Sequence, residues 1–415
     1  PRLIIVASTD KVLTSSDRHP KSSPRRIRAM NLNEKLPGVG SGYGEVPDIK
    51  TLRNSIPAHC FKPSTSRSLA YLVRDFIMAG ALLVAATRLI PTIPFPIIRA
   101  TTWVLYGFSQ GLIGTGLWIL AHEAGHGAFS KYSRLNDLVG WITHSVLLVP
   151  YFSWKFSHHR HHLFAGHLDK DMAFVPEIRS GDSHQAHVSV IDWDLLEDIP
   201  IVQFVRLVVH QLFGWPLYLF FNMSAGKGSL QRPTSNVFRQ SHFDPYSAVF
   251  RQSEAIYVIF SDIGVGLMLA ILYWSWAKVG FLTLILVYGQ PYLWVHHWLI
   301  AITYLHHTHV DVPHFSADGW TFVKGALATV DRDFGFIGRH LFHGIIEYHV
   351  VHHLFPRIPF YHCEEATEAI RPLLGQLYRR DNSPFLRQLW TTFNSCKFVE
   401  DDAEEPGVAK WATEG

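Results

Sequence analysis

Charge is scarce in this chain. Asp, Glu, Lys and Arg make up 17% of its 415 residues, against about 25% in an ordinary soluble domain, and that shortage points to a membrane protein. Basic and acidic residues nearly cancel, 37 against 34, so the chain lacks the basic excess that a nucleic-acid partner calls for. Cysteine is scarce too: Cys60, Cys363 and Cys396 are scattered, with no CxxC pair. Neither a disulfide framework nor a thiolate zinc site is supported by that pattern. What the chain does have is apolar bulk, 48% hydrophobic and 13% aromatic residues, which excludes disorder for most of its length. It also has 26 histidines, and these are clustered: seven fall within residues 122–162 and eleven within residues 296–353.

The first 56 residues mix Ser, Pro and Gly with Lys21, Arg25, Arg26 and Arg28. They hold no apolar run long enough for a signal peptide and read as a mobile arm. A bilayer core of about 30 Å needs about 20 apolar helical residues, and four segments approach or exceed this: 69–90, 100–121, 255–277 and 279–305, the last with a kink at Pro291. Residues 139–149 are too short to span, and residues 201–223 carry Gln203, Arg206, His210, Gln211 and Pro216, so both read as interfacial or buried helices. The acidic stretch in residues 400–415 reads as a solvated tail. The expected fold is therefore an all-α integral membrane protein with four transmembrane helices, interfacial helices and a histidine-rich cap over residues 57–399.

His122 and His126 stand four apart directly after the second span, on one helix face, a spacing that suits a shared metal. With Glu123 they also form an HExxH sequence, in which Glu123 would be the general base of a zinc protease. Two further clusters, His158-His159-Arg160-His161-His162 and His349-Val350-Val351-His352-His353, each contain HxxHH. Together the three clusters offer eight imidazoles, whereas a catalytic zinc takes three protein ligands and keeps one open position. Eight suits two metals. Imidazole accepts iron, copper and zinc, so the identity of the metal follows from function rather than from ligand type. His307 is the choice for a further ligand, with Thr303 one turn before it on the same face. His306 and His309 read as an interfacial collar, and His144, His340 and His343 stay open as ligands or supporting groups.

If one centre uses all the clusters, an even number of crossings must separate His162 from His349. The third and fourth spans supply two, provided residues 201–223 do not cross. Both termini then lie on the histidine side, which the basic N-terminal residues place in the cytosol. The sequon Asn222-Met223-Ser224 stays unused in that topology.

Beyond the three histidine clusters, the chain contains Ile56-Pro57-Ala58-His59-Cys60-Phe61, Leu148-Val149-Pro150-Tyr151, the stretch from Gly325 to Gly335, and His352-His353-Leu354-Phe355. With these motifs in this order it resembles the membrane fatty-acid desaturases, in particular the fungal Δ12 and ω3 (Δ15) acyl-lipid group, over about residues 56–399. The resemblance implies four transmembrane helices in the endoplasmic reticulum membrane and a cytosol-facing centre of two iron ions. The ligands it carries over are His122, His126, His158, His161, His162, His349, His352 and His353, with His307 added. It implies O2 as co-substrate and electrons passed from NADH through cytochrome b5 reductase and a separate cytochrome b5, since no haem-binding His-Pro-Gly-Gly occurs. The implied substrate is an acyl chain carried on a membrane phospholipid, desaturated at Δ12, at ω3, or at both. Ala124, where plant and many fungal Δ12 relatives have cysteine, His159 and the His306-His307-Thr308-His309 stretch together pull the likeness toward the ω3 branch.

Metal-bound imidazoles usually donate their second N–H to a carboxylate or carbonyl, and Glu123, Asp169, Asp171, Asp331, Asp333 and Glu347 are the candidates by position. The rival readings are a fatty acyl hydroxylase on the same scaffold, an HExxH membrane zinc protease, and a histidine-rich metal transporter. The protease would leave both HxxHH clusters dispensable. The transporter would place its ionisable groups mid-membrane, where Asp262 and His296-His297 are the residues that fit it.

Overall fold

The computed structural model describes residues 46–179 and 199–412. Helix α1 (Ile49–Ser55) opens on Asp48, whose carboxylate accepts the Lys50 N–H at 3.0 Å. Its Leu52 and the following Ile56 are buried in a core shared with Cys60, Val350, Val351, Leu354 and Ile370. Helix α2 (Thr65–Leu89) is capped by the Ser64 side chain. Helix α3 (Pro96–His126) begins with proline at its first turn, where a missing N–H costs nothing, and ends at Gly127 in the left-handed region, φ 75°. Two shorter helices follow, α4 (Ser133–Val146) and α5 (Tyr151–Phe164), then α6 (Pro200–Phe221) and α7 (Ala255–Val279).

A short turn at Phe281–Leu284 and a π-helical turn at Ile285–Gly289 lead into α8 (Gln290–His307). The π turn sits where Pro291 leaves the Val287 carbonyl without its helical donor. The Tyr106 hydroxyl donates to that oxygen at 3.0 Å. The chain then forms α9 (His349–Leu354), α10 (Cys363–Leu374) and α11 (Phe385–Ser395).

At the centre lies α3, packed on α2, α4 and α8. Its contact with α8 is close because of glycine: a Cβ at Gly111 would fall 2.3 Å from the Trp294 Cβ and 3.2 Å from the Pro291 carbonyl oxygen. By contrast α2, α6 and α7 turn most of their apolar residues outward, among them Ile77, Val84, Phe204, Phe213, Phe260, Leu267 and Trp274. Such a surface is unstable against water and suits lipid.

Four described helices are long and apolar enough to cross a membrane: Thr65–Thr92, Pro96–His126, Pro200–Phe221 and Gln252–Val279. Three overlap expected spans. The fourth is the segment expected to be interfacial, while the expected fourth span, interrupted by the π turn, runs from Phe281 to His307. Contacts at the two ends of α6 separate length from course. Leu207, near its start, packs with Tyr304 and Leu305, beside His307. At its other end the Tyr218 hydroxyl lies 3.0 Å from the Ser157 Oγ, and just beyond, the Gly226 N–H donates to the Asp171 carbonyl. Leu207, two turns into α6, and the C-terminal end of α6 thus both meet elements that carry the histidine clusters. The sequon residue Asn222 is buried, in the left-handed position that closes α6.

Three further expectations are corrected. The chain is mostly helical rather than all-α: β1 (Glu177–Ile178), β2 (His314–Phe315), β5 (Phe398–Asp401) and β6 (Val408–Trp411) form a sheet in the order β1-β5-β6-β2, and β3 (Asp331–Arg332) pairs in parallel with β4 (Arg380–Asp381). The expected acidic tail is the β5–β6 hairpin as far as the described residues reach, because its alternate positions Val399, Ala409 and Trp411 are apolar and buried. The expected arm already packs as α1 from residue 49, and residues 1–45 lie outside the described residues.

Candidate metal centre

The last turn of α3 carries His122 and His126, whose Nε2 atoms lie 3.2 Å apart. From α5, the His158 Nε2 lies 3.1 Å from that of His126, and the His162 Nε2 lies 3.1 Å from that of His158. His352 of α9 completes a group of five imidazoles, each offering one nitrogen within 4.8 Å of all the others. A second group holds His161, His307 and His353 within the same limit. His349 joins it, with its Nε2 3.3 Å from that of His307. The two groups are adjacent: the rings of His162 and His353 stack at 4.1 Å.

All nine expected imidazoles are therefore brought together, but not one cluster per metal. His158 and His162 face one group while His161 faces the other, and the neighbours His352 and His353 also part.

Nitrogen separations of 3.1–3.3 Å lie between the octahedral cis edge of about 2.9 Å and the tetrahedral edge of about 3.3 Å around a metal with bonds of about 2.0–2.1 Å. The ring nitrogens of His352 and His353 are buried without a hydrogen-bond partner, a cost of about 1–3 kcal/mol for each unsatisfied group that a bound cation would remove. Burial, reinforced by the neighbouring imidazoles, holds His158, His162, His349, His352 and His353 well below the usual histidine pKa. They are neutral at pH 7, the form that ligates metal. This donor set fits two divalent metal ions.

Among the supporting candidates, Asp171 meets an imidazole directly. Its Oδ1 lies 2.6 Å from the His161 Nδ1, and its two oxygens also accept the Gly166 and Ala173 N–H groups. The carboxylate of Glu123 accepts the Phe360 N–H at 3.1 Å and sits 3.4 Å from the His122 Nδ1 and 3.9 Å from the His352 Nδ1. A free general base beside three ligands and an open position, as a zinc protease requires, is not what these residues form.

Asp331 acts through the backbone: its Oδ1 accepts the Val350 N–H in the first turn of α9 and its Oδ2 accepts the Tyr378 hydroxyl. Burial pushes its carboxyl up to about 7. Glu347 accepts the Phe334 N–H, Asp333 pairs with Arg339, and Asp169 accepts the Gly228 N–H, so these three do not touch the ring nitrogens of the centre. His306 has a backbone carbonyl facing each ring nitrogen. His144 packs on Trp118 and Trp154, His343 pairs with Asp75 at 2.8 Å, and His340 is exposed.

Arg332 was not singled out from sequence. Fully buried, it donates to the Leu305 and Thr308 carbonyls at the end of α8 and pairs with Asp381, which holds the turn that carries His307. Its sequence signal is its place between two carboxylates in the Asp331-Arg332-Asp333 stretch.

A cavity of about 350 Å³ opens onto the centre, within the usual range for a ligand site. Its walls include Trp118, Trp154, Gly214, Leu299, Ile300 and Thr303, and His158, His161, His307 and His349 stand at its metal end. Thr303 and His307 thus face one cavity from successive turns of α8. Asp262 and His296 line a neighbouring apolar cavity with Trp215.

A family model described as fatty acid desaturase matches residues 101–385. An oleate hydroxylase of Claviceps purpurea is 41% identical over 428 aligned residues, covering 98% of this chain and 89% of its own length. A Δ12 fatty acid desaturase of Mortierella isabellina is 44% identical, covering 86% of this chain and 89% of its own. An endoplasmic-reticulum ω-6 fatty acid desaturase of Brassica juncea is 41% identical, with 87% and 90% covered.

Proposed function

The chain belongs to the fatty acid desaturase family, and from that premise we propose that it introduces a cis double bond at the Δ12 position of an oleoyl chain carried on a membrane phospholipid. The observation that carries this reading is the apolar cavity closed at one end by two groups of imidazoles. Relatives named for Δ12 desaturation and for oleate hydroxylation favour carbon 12 over ω3. Of the residues that pull toward ω3, Ala124 packs with Leu120 and Phe129 and His159 is exposed, whereas His307 of the His306–His309 stretch lines the cavity.

Two iron ions held by the nine histidines would supply the oxidising power toward an unactivated methylene that no side chain has. The protein's own contribution is position and water exclusion. Trp118, Trp154, Leu299 and Ile300 give the acyl chain an apolar wall, so the chain leaves the bilayer without crossing water. Asp171 accepts the His161 Nδ1–H, leaving the Nε2 lone pair aimed into its group. Removing two hydrogens with O2 as acceptor forms one double bond and two waters, and needs two electrons and two protons from outside. Cytochrome b5, reduced from NADH by its reductase, is the donor proposed. The crossings are α2, α3, α7 and the run from Phe281 to His307, with the centre facing the cytosol from the endoplasmic reticulum membrane.

A yeast host that makes only monounsaturated chains tests this reading through its fatty-acid profile, by gas chromatography and mass spectrometry. The expected product is a diene with its new bond at carbon 12, and trienes would add ω3 activity. Hydroxylated chains would establish the second reading, which the Claviceps purpurea relative favours by matching 98% of this chain. An unchanged profile, with iron-loaded protein in the membrane and a working electron donor, would overturn the proposal.

A further inference from the structure

The motif Ile56–Phe61 is not used by the centre described above. Its His59 and Cys60 lie on a single 3-10 turn ahead of α2, and that turn meets His362 and Glu365 at the start of α10. The four residues offer a thiol, two imidazoles and a carboxylate whose donor atoms all lie within 4.8 Å of one another.

The Cys60 Sγ is 3.7 Å from the His59 Nε2 and 3.6 Å from the Glu365 Oε2. With zinc–sulfur and zinc–nitrogen bonds of about 2.3 and 2.0–2.1 Å, tetrahedral geometry puts sulfur about 3.6 Å from each light ligand. The two sulfur separations are therefore already those of a zinc tetrahedron. His59 and Glu365 are in direct hydrogen-bond contact at 2.8 Å, and a cation between them needs them to part by about half an ångström, which side chains that are about half exposed can do.

We propose that His59, Cys60, His362 and Glu365 form a mononuclear divalent-metal site, with zinc as the ion their donor set selects. A soft thiolate with imidazoles favours zinc over the oxygen-seeking cations. Burial and the Glu365 carboxylate push the Cys60 thiol up to about 11, so binding zinc converts it to thiolate and releases its proton to solvent.

The site ties the segment ahead of α2 to α10 across the core that also holds Val350, Val351 and Leu354. It therefore acts as a structural clasp behind the helix that carries His349, His352 and His353. Sequence inspection missed it because its two halves lie some 300 residues apart.

Cobalt(II) separates this site from the histidine centre, because a thiolate-to-cobalt charge-transfer band needs sulfur and the nine imidazoles offer none. Full-length, iron-loaded protein in detergent is titrated with Co2+. The expected band saturates at one equivalent, is displaced by Zn2+, is lost in Cys60→Ser, and persists in Cys363→Ser and Cys396→Ser. Absence of the band from iron-loaded wild-type protein, or its survival in Cys60→Ser, would overturn the proposal. Should Cys60→Ser fail to fold, Glu365→Gln and His362→Gln at the site's outer edge decide instead. Weakened cobalt binding supports the site, and unchanged binding in both refutes it.

Discussion

Asp171 ties a single side chain to the centre by three contacts, to the His161 Nδ1 and to two backbone N–H groups. Asn in its place keeps the shape but presents an NH2 or a neutral oxygen to the imidazole, so both the tautomer and the basicity of His161 suffer. Outer partners of this kind are worth about 10–100-fold in metal affinity or activity. Asp171→Asn is therefore expected to lower product formation from the fatty acyl substrate by that order in membranes. Metal content should fall with it, which product analysis and iron determination on the same preparation would check; unchanged values for both would remove Asp171 from the centre. The histidines were legible in sequence because i, i+3 and i+4 spacing puts ring nitrogens on one helix face. Their sorting into two groups was not: adjacent helical residues such as His352 and His353 point about 100° apart, but which imidazoles each then meets is set by how the helices pack, which spacing does not encode. Arg332 was hidden for a related reason: besides Asp381, its partners are backbone carbonyls, which have no letter in a sequence.

The α3–α8 contact shows what elements require of one another. Gly111 lets the Trp294 Cβ and the Pro291 carbonyl approach to distances that a methyl group would violate, and the same two helices end in His122, His126 and His307. Gly111→Ala should destabilise the protein by about 1–3 kcal/mol, the usual cost of overpacking, and reduce metal retention by separating the helix ends. Gly80→Ala and Gly266→Ala are the controls, since nothing lies within 4 Å of a Cβ at either position. Heat-inactivation midpoints of the three variants should place Gly111→Ala alone below wild type. Apolar length made α2, α3 and α7 visible in advance, because lipid imposes a minimum run. The β5–β6 hairpin was overlooked because its acidic residues occupy one face of alternating strands while Val399, Ala409 and Trp411 fill the other, and counting charges alone sees only the first face.

For the whole molecule the deciding element is α6. Composition and length allow it to cross, yet its Leu207 packs beside Tyr304 and Leu305 and it ends beside Ser157, which is the observation that favours a course along the histidine side. In the proposed topology, parity then requires that α7 leave the histidine side and the run from Phe281 return to it, so that His162, His307 and His349 face one compartment. The three natural cysteines are buried, which leaves a quiet background for reporter thiols. Ser235→Cys, exposed in the segment after α6, is expected to react with a membrane-impermeant maleimide in sealed microsomes whose cytosolic face is outward. Lys278→Cys, at the end of α7, and Thr92→Cys, between α2 and α3, should react after detergent is added. Protection of Ser235→Cys would mean that α6 crosses. Two histidine groups drawn from α5 and α8 could not then share one face of the membrane, and the single two-metal centre would have to be abandoned.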